Sequence, residues 1–287
     1  MRARYAGQGA LPRDLSGDDV LRMVRAMTIP AVLSISSQVA FGPVGNTAIL
    51  PPLLASGVMP IALPTVILDF HPGLGTPFGT AISADALAGM LAGLETMGFL
   101  AQCRCVLTGY FASAAQVERV ADFIVSIKAA RDVVYICDPV IGDDGAPYVK
   151  QEIAVAIRDR LVPICDLLTP NVFELGWLTG VAVTDCASAR VAAERLPGRQ
   201  VVATSVPGLP GEISTVLFGD GAPLVETRAK RTPVPQGTGD VLAALLAGHI
   251  AHGRSVRECL AAAVDTLGAV LAASDGTVLN LVDGLKS

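Results

Sequence analysis

The chain has 287 residues, of which 52% are hydrophobic and 16% charged, so it can form a sizeable core and lacks the composition of disordered proteins. Its formal net charge of -5 argues against nucleic acid or an anionic membrane as a partner, since both are bound by basic surfaces. We therefore expect a folded, enzyme-sized protein in which any bound anion is held by local groups.

The N-terminal segment differs from the rest of the chain. Residues 1–28 carry arginines and aspartates and lack the uninterrupted apolar run of a secretory signal. We interpret residues 1–28 as an extension and residues 29–287 as one domain, because no repeat or low-complexity linker marks a second. No charge lies between Arg25 and Asp69, but prolines and polar residues interrupt this stretch, so it does not predict a membrane-spanning helix.

Short apolar runs rich in β-branched residues alternate with longer segments of helical periodicity. This pattern predicts an α/β fold in which a mostly parallel sheet is covered by helices on both faces, in three α/β/α layers. The predicted strands are 31–35, 60–68, 105–109, 133–137, 167–168 and 201–203, followed by a hairpin of 213–218 with 224–227. The predicted helices are 46–55, 84–97, 114–130, 239–252 and 255–273. Functional groups in such sheets collect at the carboxyl ends of the strands.

The six cysteines are scattered, lie mostly in apolar strand-like runs and show no CxxC spacing for zinc or redox chemistry. They are Cys103, Cys105, Cys137, Cys165, Cys186 and Cys259. We expect buried, reduced thiols and a cytoplasmic protein.

A glycine motif precedes one of the two closing helices. Gly237-Thr238-Gly239-Asp240 runs directly into an apolar segment. Glycines at a helix start leave backbone N–H groups uncovered, and the helix dipole favours negative charge there, so a phosphate can dock. Asp240 is then a candidate general base for an attacking hydroxyl. The same residues also fit an ordinary glycine turn in which Asp240 complements the helix dipole.

Carboxylates follow two of the predicted strands. Asp138 and Asp143 lie five residues apart in a loop shaped by proline and glycine, which suits hydrated Mg²⁺; Asp143 also fits a solvated turn. The next strand ends in Thr169-Pro170-Asn171, with Glu174 three residues later, which fits a metal-nucleotide site. Thr169 or Asn171 fits the cap of a short helix equally well.

Seven short motifs occur in a fixed order along the chain. They are Ser34-Ile35-Ser36-Ser37-Gln38-Val39, Gly42-Pro43-Val44-Gly45-Asn46, Thr108-Gly109-Tyr110, Asp138-Pro139-Val140-Ile141-Gly142-Asp143, Thr169-Pro170-Asn171-Val172-Phe173-Glu174, Thr204-Ser205 and Gly237-Thr238-Gly239-Asp240. In these motifs, from about residue 31 to residue 273, the chain resembles pyridoxal kinases of the ribokinase superfamily. The resemblance implies a ribokinase-like fold.

The resemblance also implies a role for each matching residue. Asp240 matches the family's catalytic base, which deprotonates the substrate's 5′-hydroxymethyl group, and the amides of Gly237, Thr238 and Gly239 match its anion hole. The residues implied on the ATP side are Asp138, Thr169, Asn171, Glu174, Thr204 and Ser205. The residues implied around the metal are Asp138, Asp143 and Glu174. The residues implied in the vitamin pocket are Ser37, Val44, His71 and Tyr110.

The implied reaction is ATP-dependent phosphorylation of pyridoxal, pyridoxamine or pyridoxine in vitamin B6 salvage, with pyridoxal 5′-phosphate as the product formed from pyridoxal. ATP is then the co-substrate and Mg²⁺ the cofactor, and a monovalent cation is left open. The resemblance further implies a homodimer. Pro72 stands where pyridoxal kinases usually carry threonine, so one hydroxyl contact to the vitamin is missing and the preferred vitamer stays open.

Three other functions compete with this interpretation. A hydroxymethylpyrimidine kinase shares the fold, but its glycine-rich opening after the first strand is missing here, and Asp240 replaces its typical cysteine. A non-catalytic vitamin B6 carrier or sensor would not need a base in the position of Asp240. A dinucleotide-dependent oxidoreductase would carry GxGxxG after the first strand, and the sequence has none there.

Overall fold

A computed structural model of the chain describes residues 28–143 and 145–286. Apart from Thr28, the extension predicted for residues 1–28 lies outside the described residues, and the domain boundary stays a prediction.

The described part of the chain alternates strands and helices. The strands are β1 (Ala31–Phe41), β2 (Met59–Phe70), β3 (Gly79–Ala81), β4 (Cys103–Thr108), β5 (Val134–Cys137), β6 (Gly142–Asp143), β7 (Ala146–Pro147), β8 (Leu167–Leu168), β9 (Gln200–Pro207), β10 (Glu212–Phe218) and β11 (Leu224–Ala229). The α-helices are α1 (Asn46–Ala55), α2 (Ala84–Thr96), α3 (Ala114–Ala130), α4 (Gln151–Ala156), α5 (Val172–Thr179), α6 (Cys186–Glu194), α7 (Thr238–Ala251), α8 (Val256–Ala273) and α9 (Leu281–Gly284). A 3₁₀ turn, Pro72–Leu74, follows β2.

Nine strands of the described chain form one sheet in the order β11-β10-β9-β8-β5-β4-β1-β2-β3. The strands from β9 to β2 are parallel, and antiparallel strands extend the sheet at both edges. Parallel strands need crossover connections, which the helices between them supply. The predicted mostly parallel sheet and the closing hairpin are confirmed.

Both faces of the sheet are covered because neighbouring residues of a strand point to opposite sides. Leu33 and Ile35 of β1 pack into a core with α2, α3, α5 and α6. Val32, which directly precedes Leu33, packs into a second core with α1, α7 and α8. These two cores confirm the three-layer arrangement. All six cysteines are free, and Cys186 is the one that is half-buried rather than buried.

The predicted helices at 46–55 and 114–130 are confirmed residue for residue, whereas β1 is longer than predicted. Its pairing with β4 ends at Ile35, but it continues along β2 as far as the pair Phe41 and Phe70. The length of β1 is set by its backbone pairing with β2. The second half of β1 contains polar residues, so a hydrophobicity pattern does not predict it as a strand. The elements β3, β6, β7, α4, α6 and α9 were not predicted.

No helix in the described ranges is long and apolar enough to cross a bilayer.

Leu33 tests the position of the first core. Its side chain is fully buried at the centre of the sheet, so Leu33→Ala should lower the free energy of unfolding by about 2–5 kcal/mol through lost burial and a cavity. Urea denaturation measures the change. Val125→Ala, at a position of α3 that is 53% exposed, is the control and should change stability little. Equal effects in both variants would contradict this packing.

Candidate active site

Most of the predicted site residues meet at the carboxyl ends of the parallel strands. β4 ends at Thr108, β5 is followed by Asp138 and β8 by Thr169, and α7 begins at the same edge of the sheet. A topology with this many parallel strands brings distant motifs to one place, which is why binding sites form there.

Helix α7 begins at a position that only glycine can occupy. Gly237 has φ 89°, and a Cβ added to it would lie 2.1 Å from the carbonyl oxygen of Pro43. No side chain caps the helix, so its first N–H groups lack the partner that a serine or aspartate would provide. Uncapped N–H groups at the positive end of a helix suit an anion.

Asp240 lies in the first turn of α7 and points into the site. Its Oδ2 accepts a hydrogen bond of 2.9 Å from the backbone N–H of Gly45. Burial raises the pKa of Asp240 to about 6, and the bond from Gly45 opposes that rise. Asp240 is therefore a carboxylate near neutral pH whose proton affinity exceeds that of an exposed aspartate, as a general base requires.

Two other glycines let the backbone approach this aspartate. Gly45 has φ 56°, and an added Cβ would lie 2.2 Å from Ser37 Oγ. At Gly109 an added Cβ would lie 2.6 Å from Ser36 Oγ and 3.9 Å from Asp240 Oδ1. The structure thus brings together the motifs around residues 36, 45, 109 and 240.

Asp138 is a buried carboxylate beside the half-buried Asp240. Its Oδ1 accepts a hydrogen bond of 3.1 Å from Thr169 Oγ1. Burial raises the pKa of Asp138, the negative charge of Asp240 raises it further, and the bond from Thr169 lowers it. A cation bound here would stabilise the ionised form of both groups, and oxygen ligands suit Mg²⁺.

Glu174 and Asn171 connect the Asp138 loop to α5. Glu174 Oε1 accepts from the N–H groups of Ile141 at 2.9 Å and Gly142 at 3.5 Å, while Oε2 accepts from Asn171 N–H at 2.9 Å. Asn171 Oδ1 accepts from Glu174 N–H, and Asn171 Nδ2 donates to the carbonyl of Gly142. Burial, followed by the charge of Asp138, raises the pKa of Glu174. The helix cap considered for Asn171 is confirmed.

Thr204 and Ser205, which were also assigned to the ATP side, lie in β9. Thr204 N–H donates to the carbonyl of Pro170 at 2.9 Å, and Thr204 forms a bridge with Asn171. Ser205 has φ 59°, a conformation that no other non-glycine residue of the described chain adopts. Ser205 is exposed, so its hydroxyl is accessible to a ligand.

Asp143 takes a different position from the other acidic residues. It belongs to β6, pairs with Ala146 of β7 and lines a cavity of about 510 Å³ with Phe173 and Trp177. Within the described residues, no three His, Cys, Asp or Glu side chains form a metal-binding group. Mg²⁺ that arrives with ATP is held largely by phosphate oxygens and needs only one or two carboxylates. Metal binding by Asp138, Asp143 and Glu174 stays a prediction.

His71 lies between two loops of the site. Its Nδ1 accepts from Gly73 N–H at 3.1 Å, so the neutral ring carries its proton on Nε2. Burial lowers the pKa of His71, which favours the neutral ring. A Cβ added to Gly42 would lie 3.0 Å from His71 Cβ. The imidazole is thus oriented by its own loop and presents a donor.

Val44 and Tyr110 are both half-buried. Val44 N–H donates to the carbonyl of Gly42, and Tyr110 N–H donates to Ser36 Oγ at 3.3 Å. Thr65 Oγ1 donates to the carbonyl of Tyr110, which links β2 to the loop after β4. Their contacts with a vitamin remain predictions.

A second cavity, of about 980 Å³, lies at the opposite edge of the sheet. It is lined by the residues that begin β9 and end β10, with Asp166, Arg190 and Arg199. None of the seven motifs contributes to it. The candidate active site is identified by the motif residues that meet at the strand ends. The larger cavity volume at the other edge does not mark the active site.

Sequence reasoning missed the Gly45 amide, Ser36 and Asn46 as parts of this site. Asn46 is fully buried in a region otherwise rich in apolar residues. A polar residue in such a run must find hydrogen-bond partners inside the protein, so this signal was present in the sequence.

Comparison with known proteins places these residues in a family. A family model described as phosphomethylpyrimidine kinase matches residues 92–279. A pyridoxine/pyridoxal/pyridoxamine kinase of Bordetella bronchiseptica is 38% identical over 236 residues, which cover 79% of this chain and 83% of the relative. Pyridoxal kinase PdxY of Rubrobacter xylanophilus is 36% identical over 250 residues, covering 84% and 86%.

Solved structures agree with the sequence relatives. Pyridoxal kinase from Leishmania donovani in complex with ADP and pyridoxine is similar with a TM-score of 0.82 at 32% identity, covering 89% of this chain and 94% of that one. Pyridoxal kinase from Entamoeba histolytica is similar with a TM-score of 0.85 at 25% identity, covering 90% and 95%.

Gly237→Ala tests the start of α7. The added methyl group collides with the Pro43 carbonyl, so the loop must move, and kcat/KM for ATP-dependent phosphorylation should fall by roughly 10-fold or more. Steady-state kinetics measure the fall. Gly268→Ala in α8, where an added Cβ meets nothing within 4 Å, is the control and should keep its activity. Unchanged kinetics in Gly237→Ala would contradict the tight contact.

Proposed function

Because the chain belongs to the pyridoxal kinase family of ribokinase-like proteins, we propose that it phosphorylates the 5′-hydroxymethyl group of pyridoxal, pyridoxamine or pyridoxine with ATP. The product formed from pyridoxal is pyridoxal 5′-phosphate, and the reaction serves vitamin B6 salvage. The observation that supports this most directly is Asp240, which lies at the uncapped start of α7, is held by Gly45 N–H and faces a second carboxylate, Asp138.

In the proposed reaction, Asp240 accepts the proton of the vitamin's 5′-hydroxyl while that oxygen attacks the γ-phosphorus of ATP. The bond to ADP breaks, and ADP leaves with its electron pair. The amides of Gly237, Thr238 and Gly239 orient the transferred group and stabilise its oxygens. Asp138 and Thr169 position the phosphate side of the site. Mg²⁺, when bound, supplies positive charge to the phosphate oxygens.

The vitamin pocket is proposed to include Ser37, Val44, His71 and Tyr110. Ser37 is buried, and its Oγ would lie 2.2 Å from a Cβ added to Gly45, the residue that binds Asp240; this supports its place in the pocket. His71 offers a donor from Nε2, which supports recognition of an acceptor on the vitamin ring. Thr204 and Ser205 are proposed on the nucleotide side.

We further propose a cytoplasmic homodimer. Phe41, Ile67 and Phe78 expose apolar side chains where β1, β2 and β3 extend beyond the rest of the sheet, which supports association through that region. The free cysteines support a reducing compartment.

Hydroxymethylpyrimidine is a second candidate acceptor, because the family model that matches residues 92–279 is described as phosphomethylpyrimidine kinase. The groups that transfer the phosphoryl group act alike on a B6 vitamer and on hydroxymethylpyrimidine. Which of the two is the substrate therefore depends on the residues of the proposed vitamin pocket.

Substrate turnover tests the proposal. Purified protein with Mg²⁺-ATP should release ADP with pyridoxal, pyridoxamine or pyridoxine, and more slowly with hydroxymethylpyrimidine. In Asp240→Ala we expect kcat to fall by roughly 10²-fold or more, because the base is lost. Asp132→Asn, at an exposed position before β5, should match the wild type. Vitamin binding without ADP release would favour the sensor; faster turnover of hydroxymethylpyrimidine would favour the second acceptor.

The pH profile of kcat/KM gives an independent test of the base. Asp240 acts as a carboxylate and its pKa is raised to about 6, so activity should be present above this pH and lost as the pH falls through it. Initial rates between about pH 5 and pH 8 measure the midpoint. A midpoint near pH 4, the ordinary range of an exposed aspartate, would contradict a buried base.

A further inference from the structure

A fully buried polar network lies directly behind the hydrogen bond between Gly45 and Asp240. Ser34 and Asn46 have no exposed surface. Ser34 Oγ donates to Asn46 Oδ1 at 2.6 Å, and Asn46 Nδ2 donates to the carbonyl oxygens of Ser36 at 3.2 Å and Leu63 at 3.3 Å. One amide therefore uses its acceptor and both donors to fasten α1 to β1 and β2.

The groups that Asn46 fastens border the base on two sides. Gly45 immediately precedes Asn46 at the start of α1, so a displacement of Asn46 moves the N–H group that binds Asp240 Oδ2. Ser36, whose carbonyl Asn46 binds, lies against Gly109, and Gly109 lies against Asp240 Oδ1. Oδ2 of Asp240 therefore faces Gly45 and Oδ1 faces Gly109, and the positions of both glycines depend on the Asn46 side chain.

The direction of the Gly45 amide is set by the groups packed around it and not by its own backbone preference. Its backbone conformation, φ 56° and ψ -138°, is one that glycine enters freely, so the local chain does not fix it. Apart from the start of α1, the polar contact that orients this residue is the bridge between Gly45 and Gln38. Burying the side-chain amide of Asn46 costs free energy unless its oxygen and both its N–H groups are hydrogen-bonded, and all three are.

We propose that Asn46, fixed by Ser34, is a positioning residue for phosphoryl transfer: it holds the Gly45 N–H group against Asp240 and so orients the base. This inference rests on the proposed role of Asp240 as base. Asn46 does not contact the reacting atoms; it acts through Gly45.

The first test separates positioning from substrate binding. Asn46→Ala should lower kcat by roughly 10-fold or more, as a base shifted by a fraction of an ångström would, while KM for ATP and for the vitamin changes by less than about threefold. Ser34→Ala removes only the hydroxyl that donates to Asn46 and should lower kcat in the same direction by less. It also provides a measurement if Asn46→Ala does not fold. Wild-type kcat in whichever of these variants folds overturns the inference.

Gln116 is a matched control for general destabilisation. It is also fully buried, donates from Nε2 to the carbonyl oxygens of Thr65 and Ile82, and accepts from Ala112 N–H. Gln116→Leu should lose a similar amount of thermal stability but keep kcat within about threefold. An equal fall of kcat in Gln116→Leu and Asn46→Ala would show that Asn46 is merely structural.

A double-mutant cycle tests whether Asn46 acts through Asp240. When Asp240→Ala has already removed the acceptor of the Gly45 bond, adding Asn46→Ala should reduce the residual kcat by less than about twofold. Effects that multiply overturn the inference and leave Asp240 as base. A wild-type protein without turnover on any vitamer overturns the proposed function together with the inference, whereas full activity in Asp240→Ala overturns the base assignment.

Discussion

Two carboxylates, the buried Asp138 and the half-buried Asp240, lie close together at the carboxyl end of the sheet. Burial favours protonation of both, the charge of Asp240 adds to this at Asp138, and a protonated Asp240 cannot act as a base. The structure opposes this with groups aimed at each carboxylate, Gly45 N–H at Asp240 and Thr169 Oγ1 at Asp138. The parallel sheet and the loops at its carboxyl edge bring these two donors to the carboxylates.

The backbone approaches Asp240 closely where side chains are missing. Gly45, Gly109 and Gly237 each lie in a position where an added Cβ would come within 2.6 Å of another group. Three loops from distant parts of the sequence therefore pack tightly around a single carboxylate. Gly45 and Asp240 are 195 residues apart in the chain, and the parallel sheet brings them together.

This separation explains what the sequence could and could not predict. The alternation of strand and helix patterns located α1 and α3 to the residue, and the motifs located Asp138 and Thr169 after strand ends and Asp240 at the start of a helix. The bond between Gly45 and Asp240 follows from neither, because no local pattern records which amide meets a carboxylate across the sheet. The second half of β1 escaped prediction for a related reason: its partner β2 determines it, while its own side chains are partly polar.

Glu174 supports the site through the backbone N–H groups that it accepts, whatever contact it makes with a nucleotide or metal. Its two carboxylate oxygens accept three backbone N–H groups, from Ile141, Gly142 and Asn171. These bonds fasten the loop after Asp138 to the start of α5, so the position of one buried carboxylate depends on another. Loss of nucleotide affinity after substitution of Glu174 would therefore have two possible origins, a lost contact or a displaced loop. Asn46 and Glu174 serve the same physical purpose, since each fastens a segment next to a group of the proposed chemistry.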